Sequence, residues 1–578
     1  MTYNPKSQRK MKLPSYQFSY RRFNPEKIIL KYLFLTLSIF ISCNKDDSSL
    51  ESEEIPEITG PFVTLTKYII IQNDGDFDKY FGQDSLKGKY IDLIGSIYIT
   101  RDSVTNLDKL KNLHSISGEF TINSKAIKSL KGLESLTYIG DHFRILRTEC
   151  IDLTGLLRLK EIGGTFEISS NYSNTTTDGL KSLRGLESIK KIGRSLNIKG
   201  NKNLETLEGV ESLEEIGGNL SLQNNPLLNK IDNLLSLKSI SGVQLLDMPS
   251  FESFYFSPEL SSIHYLSIQN CNSLINLKGI ESIQEIEDIS LFSNKNLKQI
   301  TDLKNTKWVS VHIADNDQLV SLDGLDNPTT TQNIYIVEND TLQNLKGLSN
   351  LLGISGTLYL ENNGIKSIEE LNKLKNIGNL SIKEQNLTNV IFPELESIDR
   401  INIAYNYDTI SFPALTENKL IELKLFGCKL STLHLPGITE ILDLTIQNCS
   451  FISKGNFPVL NHVYNFKIAT CRFFIDIMFP ELKSINNMEV KDCFNQDFRW
   501  IPKLEMTERI RIENNSFLKS LSGLENLNTV SMSMDILDNT SLKDFCPLKS
   551  LIESNPSINI NISRNSENPS LDDILNCE

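Results

Sequence analysis

The feature that most constrains this chain is a short apolar motif that recurs along nearly its whole length. Apolar-x-apolar triplets begin at residue 97, and almost all successive triplets lie 21 to 24 residues apart. Their last residues are Ile99, Ile122, Ile145, Ile168, Ile198, Leu222, Leu245, Ile268, Leu291, Ile313, Ile336, Leu360, Ile382, Ile403, Leu425, Ile446, Ile468, Val490, Ile512, Ile536 and Ile562. Because alternate side chains of a strand face opposite ways, each triplet predicts a short strand with two inward residues and one outward residue. No single repeat can bury its apolar face alone, so the series predicts a solenoid whose coils share one core.

A second regularity lies three residues beyond each triplet, where the chain must turn. Of these 21 positions, eleven are Asn and five are Cys. A buried Asn amide can satisfy the backbone of its own turn and the next, and Cys fits the same small space. We therefore predict a buried structural ladder of Asn171, Asn201, Asn225, Cys271, Asn294, Asn316, Asn339, Asn363, Asn406, Cys428, Cys449, Cys471, Cys493, Asn515, Asn539 and Asn565. The exceptions, Asp102, Lys125, Thr148, Met248 and Gln385, predict looser turns.

The rest of each repeat takes one of two forms. One reads L-x-G-L-x-x-L-x-x-I-G, as in LKGLESLTYIG (130–140), and the other contains F-P-x-L, as in FPELESI (392–398). The strand triplet and the Asn turn together read L-x-I-x-x-N-x-x-L, which resembles the motif of leucine-rich repeats. The L-x-x-I-x-G that ends the first form resembles the variant found in the L domains of insulin and growth-factor receptors. The resemblance covers residues 64 to the C-terminus. It implies a β-rich solenoid, a right-handed parallel β-helix of about 21 coils with little α-helix.

Both ends of such a solenoid need covering. We expect an N-terminal cap at 62–94, where FVTLTKYIII predicts a strand and DGDFDKYFG a short helix, before a solenoid at 95–540. A C-terminal cap at 541–578 contains Cys546 and Cys577, which both lie off the ladder. We predict a disulfide between them, like the C-terminal closure of other exported proteins of this repeat type. Free thiols remain the alternative, because sequence alone does not fix the pairing.

The N-terminus has the pattern of an export signal. Residues 1–42 carry eight Lys or Arg and one acid, and the apolar run at 28–41 is shorter than the roughly 20 residues that span a bilayer. The run ends in FISC, which resembles the lipobox of bacterial lipoproteins and predicts a signal peptide at 1–42 with lipid attached to Cys43. An ordinary cleaved signal or anchor is the alternative, and either Met1 or Met11 could be the start.

The residues after Cys43 predict a tether. The sequence NKDD resembles a signal that sends certain Gram-negative lipoproteins to the outer surface, although it could simply begin a polar linker. Residues 43–61 are acidic and poor in apolar residues, which is typical of an extended linker. We therefore expect an outer-membrane protein, held by its lipid anchor and facing the cell exterior.

Charge and motif content limit the possible functions. The net charge is −13, and because residues 1–42 contribute +7, the remainder carries −20, which argues against a nucleic-acid partner. The six histidines show no metal-binding spacing, and stacked thiols from Cys428 to Cys493 would lie parallel rather than converge on zinc. No nucleotide-binding or hydrolase motif is present. We therefore expect no cofactor, no metal and no enzymatic activity.

The outward residues of the strands are the best candidates for ligand binding. His312, Tyr335 and Tyr359 occupy the middle of successive triplets, with Phe292 and Glu361 just beyond the triplets at either end. Aromatic residues one coil apart could bind a sugar ring or a protein, and cross-strand packing that only stabilises the sheet is the alternative.

Three hypotheses follow for the whole chain. The first is a surface-anchored binding or adhesion module for a protein or glycan partner. The second is a structural spacer of the envelope without a specific ligand. The third is a carbohydrate-active enzyme on a β-helix, although no turn concentrates the acidic and basic residues that such chemistry needs.

Overall fold

A computed structural model describes residues 58–172, 179–416, 418–449, 455–472 and 477–577. All of these belong to one compact unit, Glu57–Glu578. The predicted signal peptide, the lipid attachment at Cys43 and most of the tether lie outside the described residues.

The described part of the chain is built almost entirely of strands. The first thirteen are β1 (Phe62–Thr66), β2 (Ile69–Ile71), β3 (Tyr90–Ile94), β4 (Ile97–Ile99), β5 (Leu113–Ile116), β6 (Phe120–Asn123), β7 (Tyr138–Ile139), β8 (Phe143–Leu146), β9 (Glu161–Ile162), β10 (Phe166–Ser169), β11 (Lys191–Ile192), β12 (Leu196–Lys199) and β13 (Glu215–Gln223). The next ten are β14 (Lys230–Leu234), β15 (Ser239–Leu246), β16 (Ser253–Phe256), β17 (Ser262–Gln269), β18 (Glu285–Phe292), β19 (Lys307–Ala314), β20 (Thr330–Thr331), β21 (Asn333–Val337), β22 (Gly353–Glu361) and β23 (Asn376–Lys383). The last are β24 (Asn389–Ile391), β25 (Ser397–Ala404), β26 (Thr409–Ser411), β27 (Asn418–Phe426), β28 (Thr432–His434), β29 (Ile438–Gln447), β30 (Gly455–Asn456), β31 (His462–Ala469), β32 (Ile477–Met478), β33 (Ser484–Lys491), β34 (Met506–Glu513), β35 (Thr529–Leu537) and β36 (Ile560–Ser563).

Helices are short and few among these residues. The α-helices are α1 (Asp76–Phe81), α2 (Lys549–Ser554) and α3 (Leu571–Leu575). Single turns of 3-10 helix occur at Asp84–Leu86, Asp108–Leu110, Thr154–Leu156, Thr301–Leu303, Lys346–Leu348, Glu369–Leu371 and Cys546–Leu548.

The strand register shows the predicted coil. A parallel sheet of 29 strands contains the triplets, and each triplet pairs with the same positions of the next coil, as when Ile168 lies opposite Ile198 and Ile313 opposite Ile336. The apolar triplet residues are almost completely buried and form one continuous hydrophobic core. The prediction of a parallel β-solenoid with little helix is confirmed, with about 20 turns.

The repeats with F-P-x-L add a second sheet that the sequence did not predict. Five short strands, β24, β26, β28, β30 and β32, form this sheet. Its buried phenylalanines stack between coils, with ring centroids 5.7 Å apart for Phe392 and Phe412 and 4.8 Å for Phe457 and Phe479. Proline lies just after each strand of this form, where its missing N–H does not interrupt the pairing.

The buried ladder follows from the geometry of the turns. Most turns place a left-handed residue just before the ladder position, such as Asn224 with φ 52° and Asn270 with φ 56°. Asn and Asp adopt this conformation more readily than other side chains. The next side chain then points inward.

Asn201 shows the contacts that repeat along the ladder. Its Nδ2 donates to the Ile168 carbonyl at 3.0 Å. Its Oδ1 accepts from the Asn171 N–H at 3.0 Å and from Asn171 Nδ2 at 3.1 Å. The Asn201 N–H donates to Asn225 Oδ1, also at 3.0 Å. The side chain of each rung therefore satisfies buried backbone groups of the coil before it, and its own N–H is satisfied by the side chain of the next rung.

The other ladder residues occupy equivalent positions, with one exception. Asn171, Asn225, Cys271, Asn294, Asn316, Asn339, Asn363, Cys428, Cys449, Cys471, Cys493, Asn515 and Asn539 are buried. Half-buried Asn565 is the last rung and accepts from the Asn539 N–H at 3.0 Å. The prediction is wrong for Asn406, which is exposed while Tyr407 takes the buried position.

Two turns differ in length from most others, and this difference explains which residues are buried in them. The turn after Ile382 lacks the left-handed residue, so Glu384 rather than Gln385 points inward, whereas Tyr407 lies four residues beyond Ile403. The prediction of looser turns is also wrong at Thr148 and Met248. Both are fully buried, and Met248 Sδ accepts from the Asn225 N–H at 3.4 Å.

Both ends of the solenoid are covered by additional structure. At the N-terminus, α1 buries Phe77 against the first coil. At the C-terminus, Cys546 and Cys577 form a disulfide, and Lys549 Nζ donates to the Cys577 carbonyl at 2.8 Å. Helices α2 and α3 therefore lie against each other beside the last coil.

Candidate ligand-binding face

The outward side chains of the main sheet form one continuous face, here called the outward face. The strand register places Ser290 beside His312, His312 beside Tyr335, and Tyr335 beside Tyr359. The three predicted aromatic residues therefore occupy adjacent strands, and all are half-buried. We call His312, Tyr335 and Tyr359 the aromatic stripe.

The rings of the aromatic stripe pack against one another. The ring centroids of His312 and Tyr335 are 4.7 Å apart, and those of Tyr335 and Tyr359 are 5.9 Å apart. Neighbouring rings are tilted by 36° and 34°. Tyr335 therefore has an aromatic neighbour on each side along the stripe.

A lysine closes one end of the stripe. Lys383 Nζ lies 5.0 Å from the ring centroid of Tyr359, donates to the Tyr359 hydroxyl at 2.9 Å, and lies 3.4 Å from Glu361. The Tyr359 hydroxyl also hydrogen-bonds Glu361. Burial, followed by the hydrogen bond to Glu361, raises the pKa of Tyr359. The predicted residue Glu361 therefore belongs to a paired cluster rather than presenting a free carboxylate.

A second row of outward residues runs beside the stripe. Phe292 pairs with Ala314, Ala314 with Val337, and Val337 with Glu361. Phe292, the remaining predicted site residue, is half-buried at the start of this row. The small Ala314 side chain leaves a low point between its two larger apolar neighbours.

The other end of the stripe carries a carboxylate. Asp288 lies on the strand before His312 and two residues before Ser290, whose hydroxyl donates to Asp288 Oδ1 at 3.2 Å. Burial lowers the pKa of His312, while the negative charge of Asp288 acts in the opposite direction. Burial therefore favours the neutral form of the imidazole.

The sequence prediction missed Asp288 and Lys383. It considered chiefly the middle residue of each triplet, whereas outward side chains also occur two residues before and after that position. Applying the same alternation to the whole strand would have found both residues.

One group of possible metal ligands occurs on the outward face among the described residues. Ligand atoms of Glu119, Asp141 and His142 lie within 4.8 Å of one another. However, His142 Nδ1 accepts from the Thr165 N–H at 2.9 Å, which leaves the ring proton on Nε2, the nitrogen that lies 3.5 Å from Asp141. Arg144 already pairs with Glu119 at 2.9 Å. We therefore assign no metal to this group.

The irregular turns create a polar cleft at another place on the solenoid. Its volume is about 580 Å³, and its lining includes Gln385, Asn406, Asp408, Lys429 and Ser431. None of the predicted ligand-binding residues lines it. Within the described part of the chain, no helix is long and apolar enough to cross a membrane.

Comparison with family models found no match, and no curated protein matched. Solved structures that match include a TLR13–ssRNA13 complex, with 14% identity, coverage of 84% of this chain and 86% of that one, and a TM-score of 0.31. The plant peptide hormone receptor RGFR1 in complex with RGF2 matches at 15% identity over 88% and 92% of the two chains, with a TM-score of 0.32. An internalin from Listeria monocytogenes matches at 15% identity over 53% and 88%, with a TM-score of 0.28. Because these scores are low, the fold assignment rests on the strand register and no function is taken from these proteins.

Proposed function

We propose that this protein is a surface-displayed binding module whose outward face recognises a protein or glycan partner. The observation that carries the proposal is the aromatic stripe, three half-buried rings in register on a continuous sheet. Elsewhere on this face the corresponding positions are mostly polar, as at Asn197, Ser221, Gln244 and Thr445. Partly exposed aromatic residues gathered at one place favour a binding role over a passive spacer.

The display of this face depends on the proposed lipid anchor at Cys43. Support comes from the short apolar run, the FISC sequence and the acidic tether, which together are typical of an exported lipoprotein. Metabolic labelling with an alkyne-bearing fatty acid should mark the wild-type protein and not Cys43→Ser. Protease added to intact cells should remove the solenoid if it faces outward, whereas complete protection would contradict surface display.

A binding screen tests the module itself. Residues 57–578 form a compact unit with its own core, so this fragment can be presented to glycan arrays and to libraries of displayed peptides. We expect saturable binding that is lost in the double variant Tyr335→Ser/Tyr359→Ser. The matched control Asn197→Ser/Thr445→Ser changes equivalent positions of the same face on distant coils and should bind normally.

The two alternative functions predict other results. A spacer would show no saturable ligand in either screen, and an equal loss in the stripe variant and the control would show that the stripe is not the site. Turnover of an arrayed polysaccharide would instead support an enzyme.

A further inference from the structure

A shallow trough adjoins the aromatic stripe on the outward face. Its floor consists of Ser267 and Ser290, which lie opposite each other on β17 and β18. Gln244 lies beyond Ser267 at one end, and His312 lies beyond Ser290 at the other. From Gln244 to His312 the register crosses three strand spacings, or about 14 Å. Two small side chains between larger ones make this a low part of the face.

The trough has distinct walls. On one side the register pairs Tyr265 with Asp288, and on the other it pairs Gln269 with Phe292. The Tyr265 ring leans toward the preceding strand, because a Cβ placed on Gly242 would lie only 2.7 Å from it. Tyr265 therefore does not fill the space over the serines. The trough combines an apolar wall at Phe292 with a carboxylate wall at Asp288.

The aromatic residues offer this trough one ring face. Tyr335 has an aromatic neighbour on each side, and Tyr359 has Tyr335 on one side and Lys383 over its ring. The side of His312 turned toward Ser290 has no aromatic neighbour in the register, because serine occupies that position. A planar group lying over Ser290 can stack on the imidazole.

Among the described residues, no Lys, Arg or His nitrogen lies within 4.0 Å of the Asp288 carboxylate. The nearby cations pair elsewhere, His264 with Glu287 and Lys307 with Glu285. The Asp288 Oδ1 accepts a hydrogen bond from the neutral Ser290 hydroxyl. Because burial lowers the pKa of His312, the neutral form of the nearby imidazole is favoured. The site therefore favours a ligand that is both planar and cationic.

We propose that this trough receives the guanidinium group of an arginine side chain presented by a protein partner. The inference rests on the proposed function and names the partner's chemistry. A guanidinium is planar, stacks on aromatic faces and donates two parallel hydrogen bonds to a carboxylate, whereas a lysine ammonium does not stack in this way. The charge of −20 on residues 43–578 also attracts a basic partner. A neutral sugar would leave Asp288 without a counter-charge.

Peptide binding tests the proposal directly. Fluorescent hexa-arginine and hexa-lysine peptides carry equal charge and can be titrated against residues 57–578 by anisotropy. We expect hexa-arginine to bind more tightly, and Asp288→Asn to weaken it by about tenfold, the loss of one charge-assisted hydrogen bond. Ser290→Phe should also abolish the difference between the peptides, because it fills the trough.

The control is Asp399→Asn, which removes an exposed carboxylate from a distant coil and should leave the affinity nearly unchanged. Circular dichroism verifies folding, and the nearly isosteric Asp288→Asn keeps the test valid if Ser290→Phe does not fold. Equal binding of the two peptides, or equal losses in Asp288→Asn and Asp399→Asn, would overturn the proposal. Binding of neutral chitohexaose that Ser290→Phe removes would overturn it in favour of a glycan site.

Failure here can be separated from failure of the proposed function. If a partner from the binding screen is lost in Tyr335→Ser/Tyr359→Ser but retained by Asp288→Asn, the binding face stands and the arginine site is wrong. If both variants retain the partner, both proposals are wrong.

Discussion

Glu384 occupies a buried ladder position that Asn fills in about half of the coils. Its Oε2 accepts from the Asn363 N–H at 2.9 Å and its Oε1 from Asn363 Nδ2 at 2.7 Å, while its own N–H donates to the Tyr407 hydroxyl at 2.9 Å. The side chain is fully buried, and burial raises its pKa to about 7. A single residue thus adds a group that titrates near neutrality to an otherwise uncharged ladder.

The titration of Glu384 predicts a pH-dependent stability. Its pKa is raised from 4.5 to about 7 on folding, so its contribution is most favourable below pH 4.5 and is lost as the pH rises through 7. The loss is at most about 3 kcal/mol. Urea unfolding at pH 5.5, 7 and 8.5 should show stability falling with pH more steeply in wild type than in Glu384→Gln. Glu505→Gln, an exposed control, should keep the wild-type slope, and identical slopes in all three proteins would refute the assignment.

Removing one ladder rung should be costly. Asn201→Ala deprives the buried Asn171 N–H of its acceptor and the Ile168 carbonyl of its donor, so we expect a loss of about 2 to 4 kcal/mol of unfolding free energy. Asn197→Ala, on the outward face of the adjoining strand, should cost less than 1 kcal/mol, or about one-third as much. Urea denaturation of both variants makes the comparison, and equal losses would show that the ladder is not a main source of stability.

The sequence predicted most of the buried ladder residues but not all of them. The Asn and Cys ladder could be predicted because residue type and spacing coincide. Glu384 and Tyr407 could not, because the turns that carry them differ in length from most other turns, and the spacing of the apolar residues does not reveal that difference. Asn406 was wrongly placed in the ladder for the same reason.

The row of buried cysteines is a repeated element in which thiols take the place of amides. The sulfur atoms of Cys428, Cys449, Cys471 and Cys493 lie 3.5 to 3.8 Å from carbonyl oxygens of the coils before them. Burial raises the pKa of Cys271, a ladder thiol elsewhere, to about 12. A protonated and buried thiol is a poor nucleophile.

These thiols should therefore be unreactive in the folded protein. In the 57–578 fragment the six free cysteines should react with Ellman's reagent only after denaturation. A thiol that reacts quickly under native conditions would contradict the burial of the row.

The C-terminal disulfide joins Cys546 to Cys577, which are 31 residues apart. Replacing both by Ser should lower stability by about 3 kcal/mol, because the unfolded chain is no longer cross-linked. Hydrogen exchange should increase in α2, β36 and α3 but remain unchanged in β10, because distant coils contribute to stability nearly independently. Uniform exchange changes along the chain would instead indicate one cooperative unit.

At the element scale the sequence predicted strands better than sheets. Triplets marked the parallel strands because two inward side chains and one outward residue produce a period of two. The second sheet escaped prediction because its short strands lack the apolar-x-apolar signal; β26 (TIS) and β28 (TLH) each contain a single apolar residue. For the outward face, spacing alone located the aromatic stripe but not the charges at its ends.

The compact unit that the structure describes is a stack of nearly equivalent coils between two caps. Contacts are made chiefly between neighbouring coils, as the parallel register shows. Stability should therefore be close to a sum over coils and their interfaces.

Deleting one complete coil tests this description. Removal of residues 202–225 joins Asn201 to the segment that follows Asn225, its equivalent in the next coil. We expect the shortened protein to fold, with β-sheet circular dichroism and cooperative unfolding. Deletion of residues 202–213, about half a coil, should give an unfolded or aggregated product because the register is lost. Equal behaviour of the two deletions would contradict a stack of interchangeable coils.

The cap closed by Cys546 and Cys577 has a consequence for maturation. In a reducing compartment Cys546 and Cys577 remain thiols. The C-terminal cap of a chain in such a compartment would therefore lack its covalent link. Transfer to an oxidising compartment would allow the disulfide between these two cysteines to form. The covalent state of these two sulfur atoms would thus indicate whether a given molecule has reached an oxidising compartment.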